Sequence, residues 1–332
     1  MNMKLCSSAM LAAVCFASNA QAGVAFRFDP TGQSGANGFI SVETFDWSPD
    51  NALSIGAFST APGADGSIDV TTVAQARLTQ FINSSNDDNC ATNIAFCAGF
   101  YSREFTFQTS FLEKIIGVGS ANTNMTLATS RGSYYRIYAD TAKDANVTTG
   151  NGYGNGTLIF EAVITALAGT FHDASRDTPA TPIQLLDRNG ADNQNGVRSH
   201  QGTGNNTLDM SVTFLDTRFF LDQVANGNDT TNLRTSFNQV NPSNAVVGVT
   251  PAYSRDGTLK DNGAIDPTNP AVCAPNHPIG RTELNVNVAR CDFHIQTDGS
   301  LSFSRLVPEP TSLTLGLLGF GLLARNLRRR AV

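Results

Sequence analysis

Residues 134–138 read Tyr-Tyr-Arg-Ile-Tyr, and residues 104–107 read Glu-Phe-Thr-Phe. Aromatic and β-branched side chains are favoured in strands, and their alternation with polar residues has the period of a strand that buries one face. With that period, Tyr134 and Tyr138 share one face and Tyr135 lies on the opposite face. Both stretches therefore predict strong β-strands.

The same alternation continues outward along the chain. Further strands are predicted at 24–28, 39–47, 52–58, 157–167, 208–220 and 283–289, with alternation resuming at 293–295, while 67–82 is either strand or short helix. The turn-rich segments 144–156, 187–206 and 226–232 are interpreted as loops. Many strands separated by turns predict an all-β fold, with an antiparallel β-sandwich or jelly-roll-like domain. The lack of a fixed-period repeat argues against a solenoid or propeller.

The two ends of the chain differ from its body. Lys4, an apolar stretch at 5–17 and the small residues Ala20-Gln21-Ala22 predict a signal peptide over 1–22, cut between Ala22 and Gly23. Residues 23–305 form the predicted secreted β-rich domain. Within it, 240–280 has little alternation and is interpreted as a long loop or insertion.

The tail, residues 306–332, combines three features in a definite order. Val307-Pro308-Glu309-Pro310 holds two prolines, which fix φ and favour an extended, accessible stretch. A predicted hydrophobic helix at 312–324 follows, and its apolar run is shorter than the about 17–25 residues that a stable span needs. The tail then ends in arginines that resist translocation: Arg325, Arg328, Arg329 and Arg330. A permanent anchor or a buried core helix fits this order less well than a sorting signal that is later removed.

This tail resembles the PEP-CTERM signal that exosortases recognise in bacteria that make extracellular polysaccharide. The resemblance implies export through the inner membrane of a Gram-negative-type bacterium, with transient membrane association before processing. It also implies an exosortase-like protease as a partner, and the cell surface or extracellular matrix as the destination.

The charge balance excludes one class of partner. The whole chain has 22 basic and 28 acidic residues, a net charge of −6. Removal of 1–22 and 311–332 takes away Lys4 and the four tail arginines but no acid, so 17 basic against 28 acidic residues leave −11. Because nucleic-acid binding needs Lys and Arg to displace counterions, we expect no nucleic-acid partner.

Four cysteines remain after Cys6 and Cys15 leave with the signal peptide. Four cysteines allow three connectivities, and an oxidising compartment favours disulfides over a metal site. The predicted pairing is the local one, in which each bridge closes a short segment: Cys90 with Cys97, and Cys273 with Cys291.

Two weaker hypotheses concern ligands, and no firm cofactor is predicted. Asp187, Asn189 and Asp192 place oxygen ligands in a glycine-containing loop, as a calcium ion requires, but the spacing does not match an EF-hand and such residues are ordinary in turns. Trp47 and the tyrosines at 134–138 are candidates for stacking on sugar rings, although a lone Trp is more often a core residue.

No catalytic residues are recognisable. The four histidines, His172, His200, His277 and His294, do not fall in HExxH, and the chain has no GxSxG elbow. We therefore do not expect an enzyme.

Several islands in the body resemble flocculation-associated PEP-CTERM proteins. They include Phe26-Arg27-Phe28-Asp29-Pro30, Glu43-Thr44-Phe45-Asp46-Trp47, Tyr135-Arg136-Ile137-Tyr138 and Asp292-Phe293-His294-Ile295-Gln296-Thr297-Asp298-Gly299. The resemblance implies a non-enzymatic matrix protein that promotes flocculation or biofilm formation with exopolysaccharide. A carbohydrate-binding module, calcium-dependent or not, is the alternative, and a secreted hydrolase ranks third.

Overall fold

The computed structural model describes residues 25–55, 62–83, 88–118, 120–146, 151–173, 184–185, 198–199, 202–222, 224–235 and 293–305. Within these ranges the regular structure is β-strand apart from two short 3-10 helices, Ile94–Phe96 and Ala98–Phe100. The strands are β1 (Phe26–Phe28), β2 (Ile40–Val42), β3 (Thr44–Trp47), β4 (Asp50–Ile55), β5 (Ile68–Ile82), β6 (Glu104–Ile116), β7 (Asn122–Asp140), β8 (Thr157–Asp173), β9 (Gln184–Leu185), β10 (Arg198–Ser199), β11 (Gly202–Leu215), β12 (Val224–Thr235) and β13 (Phe293–Arg305).

One antiparallel sheet of nine strands dominates the fold, in the order β12-β11-β8-β7-β6-β5-β3-β13-β4. From β5 onward successive long strands are neighbours, which is the connectivity of a meander. β13 pairs with β12 on one side and with β3 and β4 on the other, and β5 also pairs with β3 and β4. The sheet therefore closes on itself, which removes the unpaired backbone groups that an open edge would present.

β3 and β4 together occupy a single strand position in the sheet, between β5 and β13. The break between them falls at Ser48 and Pro49. Proline has no N–H to donate to a ladder, so a strand paired on both sides is interrupted there.

Aromatic side chains fill the space inside the closed sheet. The ring of Phe303 on β13 lies 5.6 Å from Phe160 on β8 and 5.1 Å from Phe45 on β3, measured between centroids. Trp47 is 1% exposed and packs on Phe107 of β6 at 4.9 Å. Opposite walls thus touch across a narrow interior, and the predicted sandwich-like all-β class is confirmed.

The β1–β2 hairpin covers one end of the sheet. Phe28 on β1 lies 5.3 Å from Phe81 and 5.7 Å from Phe105, and Phe26 lies 4.9 Å from Phe303. We call this the tail-side end: β3, β6, β8 and β12 begin there, and β5, β7, β11 and β13 finish there. The segments 174–201 and 236–292 are joined to strands at the opposite end.

Asp29 holds the loop of this hairpin. Its side chain accepts hydrogen bonds from the backbone N–H groups of Thr31 (2.8 Å), Gln33 (2.9 Å) and Gly35 (2.8 Å), and one from the Thr31 hydroxyl (2.6 Å). Burial alone would raise the pKa of Asp29, but these hydrogen bonds outweigh it and the pKa is lowered. The buried carboxylate therefore fixes the loop that covers the tail-side end.

The structure corrects one predicted loop and the last residues of another, 187–206, and it settles one ambiguous segment. Residues 226–232, interpreted as a turn-rich loop, lie inside strand β12, and 202–206 lie inside β11. Asn, Gly and Asp are poor strand formers, but β12 is hydrogen-bonded to β11 and β13 over most of its length, and this pairing overrides local preference. The segment 67–82 is strand, not helix.

Candidate functional site

Many of the predicted site residues lie outside the described ranges. These are the sorting motif Val307, Pro308, Glu309 and Pro310, the arginines Arg325, Arg328, Arg329 and Arg330, the cleavage site Ala22 and Gly23, the cysteines Cys273 and Cys291, and the calcium candidates Asp187, Asn189 and Asp192. The structure does not test the roles predicted for these residues, and those roles remain predictions. The same holds for the interpretation of 240–280 as a loop or insertion.

The described part of the chain places a disulfide-closed loop at the tail-side end. Cys90 and Cys97 are bonded to each other, which is the local pairing predicted from the sequence. Between them, Asn93 caps the first 3-10 helix by accepting the backbone N–H of Ala95 at 3.0 Å. Phe96 and Ala98 are buried in the core, so the loop is packed as well as cross-linked.

Three carboxylates gather at the same end of the sheet, where β6 begins and β7 finishes. Glu104 begins β6, Asp140 finishes β7 directly opposite it, and Asp144 follows on the next loop. One oxygen from each lies within 4.8 Å of the others. Sequence reasoning missed this cluster, because Glu104 and Asp140 are brought together only by strand pairing.

The electrostatics of this cluster are those of a crowded acidic site. Burial raises the pKa of Glu104, partly offset by the backbone N–H of Ala145, which donates to Oε1 at 3.0 Å. Asn155 donates to both Asp144 oxygens at 3.2 Å. Oδ2 of Asp140 is buried and has no hydrogen-bond partner among the described residues. Carboxylate oxygens are the ligands that hard cations prefer, so among the described residues these three are the ones that could hold a divalent cation.

As predicted, Tyr134 and Tyr138 lie on one face of their strand and Tyr135 lies on the other, but only the first two are partly exposed to solvent. Tyr135 is fully buried and stacks on Phe107 at 4.8 Å, while Tyr134 and Tyr138 are half-buried on the outer face. Between them, Arg136 places its guanidinium 4.3 Å from the centre of the Tyr134 ring and forms an ion pair with Glu161 at 2.7 Å. One face of Tyr134 is thus taken by Arg136. Trp47, the other candidate, is a core residue.

Glu113 is a buried acid that sequence patterns did not reveal. It lies on β6 inside the closed sheet, 2% exposed, where it accepts hydrogen bonds from the hydroxyls of Thr72 and Ser54. Burial raises its pKa to about 7, although the two hydroxyls act in the opposite direction. Its second oxygen, Oε2, has no partner among the described residues.

His172 lies in β8 near the opposite end of the sheet, where its Nδ1 is 2.9 Å from the side-chain oxygen of Asn122. His200 and His277 lie outside the described residues.

In the part of the chain that the structure describes, no helix is long and apolar enough to cross a membrane. The predicted hydrophobic helix at 312–324 lies outside that part.

Residues 306–330 match the family described as the PEP-CTERM protein-sorting motif. The match confirms that the chain carries this signal, and with it the predicted processing by an exosortase and export toward the cell surface. It covers the tail alone, so the resemblance of the body to flocculation-associated proteins stays a prediction. No curated protein and no solved structure matches the chain.

Proposed function

Because the chain carries a PEP-CTERM sorting motif, we propose that it is a non-enzymatic protein of the cell surface or extracellular matrix. In this proposal it is released by an exosortase in a Gram-negative-type bacterium and promotes flocculation or biofilm formation together with exopolysaccharide. The observation that carries the proposal is the sorting motif at residues 306–330.

The position of the motif relative to the fold supports a removable tail. The motif begins at residue 306, directly after Arg305, the last residue of the closing strand β13. Cleavage beyond this point leaves every described pairing of β13 in place. Loss of the tail therefore releases a folded domain instead of breaking one.

The C-terminus of the mature protein tests this function most directly. In cells with the sorting enzyme, we expect mass spectrometry to find a chain that ends before Arg325. In cells without the enzyme, the arginines should remain. An intact arginine-rich end in wild-type cells would refute the proposed processing.

The matrix role has its own test. Clean deletion of the gene should disperse flocs or thin the biofilm, and restoring the gene should reverse the change. Aggregation that is unchanged in the deletion strain would leave the protein exported but without the proposed role.

In this proposal, polysaccharide contacts the outer face around Tyr138, Arg136 and Glu161. A half-buried aromatic ring beside charged hydrogen-bonding groups suits a hydroxylated chain, since the ring stacks and the polar groups orient the ligand. Tyr138→Ala should weaken pull-down by the host polysaccharide, whereas the matched Tyr138→Phe variant, which keeps the ring, should retain most of it. Equal binding by wild type and Tyr138→Ala would rule out this surface.

A further inference from the structure

The tail-side end is joined to the sorting tail by a short segment. Six residues, 306–311, separate the end of β13 from the predicted hydrophobic helix at 312–324. Fully extended, six residues span about 20 Å. While the tail holds the chain at the membrane, the tail-side end must therefore lie within about 20 Å of the hydrocarbon region.

This end also exposes large apolar side chains. Phe39 is 53% exposed on the β1–β2 loop. Ile94 and Phe100 are 65% and 55% exposed on residues 88–101 between β5 and β6, which we call the disulfide-closed segment because it contains the Cys90–Cys97 bond. The other exposed large apolar side chains of the described residues are Phe214 and Ile116. Phe214, at 42%, lies on the outer face one residue before β11 finishes at the tail-side end, and Ile116, at 38%, is the last residue of β6 at the opposite end.

The loops that present these side chains are held in place by specific contacts. Asp29 fixes the β1–β2 loop, and Arg27 lies 5.5 Å from the centre of the Phe39 ring. In the disulfide-closed segment, the Tyr101 hydroxyl donates to the carbonyl of Ala95 at 2.7 Å, and its ring packs edge-on to Phe100 at 5.2 Å. Because the loops are already ordered, little conformational entropy is lost when these side chains bind a surface.

We propose that, in the tail-bearing precursor, the tail-side end faces the membrane and Phe39, Ile94 and Phe100 contact the lipid headgroup region. Large apolar and aromatic side chains, with Arg27 beside Phe39, are the types that settle at a bilayer interface. The tail supplies a high local concentration of lipid, so weak contacts suffice to orient the domain. The inference rests on the proposed function, since it requires the tail to hold the chain at a membrane.

One consequence concerns the opposite end. That end, where β8 and β12 finish and β11 and β13 begin, would face away from the bilayer. The contact with lipid would end when the tail is removed, because the local concentration is then lost.

Tryptophan fluorescence on the chain with its tail intact tests the orientation. The chain has one tryptophan, Trp47, which is 1% exposed and serves as a buried background signal. Phe39→Trp, Ile94→Trp and Phe100→Trp each add a probe at the tail-side end, and Ile116→Trp is the matched control at the opposite end. Each variant is bound to vesicles of brominated phosphatidylcholine, and flotation measures tail-dependent attachment separately.

We expect bromolipid quenching of the three tail-side probes and none of the probe at 116. Flotation with no quenching, or with equal quenching of all four probes, would overturn the inference while leaving the sorting tail intact. Failure to float would count against the proposed function and, with it, against the inference.

Discussion

Glu113 shows how one residue sets the response of the domain to pH. Its ionised form is destabilised inside the closed sheet, and no charged neighbour is among the causes of its raised pKa of about 7. In the unfolded chain a glutamate titrates near pH 4.3. The folded state therefore binds the Glu113 proton more tightly, so the free energy of unfolding falls as pH rises from about 4.3 to about 7 and levels off above that. A pKa difference of about 2.7, at about 1.4 kcal/mol for each unit, makes this contribution about 4 kcal/mol.

Glu113→Gln should remove this slope. The variant should gain stability relative to wild type at pH 8 and not at pH 5, in urea unfolding followed by circular dichroism. Thr72→Val is the matched control, because it keeps the carboxyl group but removes a donor that favours the charged form. That variant should move the transition to higher pH. Parallel profiles for wild type and Glu113→Gln would contradict this account.

The disulfide-closed segment shows how an element is held where secondary structure is short. Its two 3-10 helices have three residues each, too few to be stable alone, and the Cys90–Cys97 bond and the burial of Phe96 supply the constraint. A bridge that closes a loop of this length restricts the unfolded chain by about 2.5 kcal/mol.

Replacing both Cys90 and Cys97 by Ser should lower the free energy of unfolding by about 2–3 kcal/mol. Limited proteolysis should then cut first within 88–101. The single variant Phe96→Leu, which keeps the bridge, serves as a control for packing. An unchanged urea midpoint in the double variant would show that packing alone holds the segment.

At the scale of the whole molecule, the aromatic core depends on closure of the sheet by β13. Phe303 lies two residues before the end of β13 and contacts rings from the opposite wall, the hairpin and β3 at 4.9–5.6 Å. It thus ties the closing strand to the core next to the start of the sorting tail.

Phe303→Ala should destabilise the domain by about 3–5 kcal/mol, because it leaves a cavity where the walls meet. Phe303→Leu, which fills most of that space, should cost less. Urea unfolding of the two variants gives the comparison, and equal stability of wild type and Phe303→Ala would show that closure does not depend on this contact.

Local patterns in the sequence were sufficient for the strands with alternating apolar residues, for Tyr135 lying on the face opposite Tyr134 and Tyr138, and for the Cys90–Cys97 pairing. The sorting tail could also be predicted from the sequence, because an enzyme recognises this signal as a run of consecutive residues. The tertiary structure alone decided that β13 closes the sheet, that the Asn- and Gly-rich β12 is a strand, and that Glu104 meets Asp140 and Asp144. These features depend on pairing between residues far apart in the chain, and a period of two residues specifies which face a side chain takes but not which strand lies beside it.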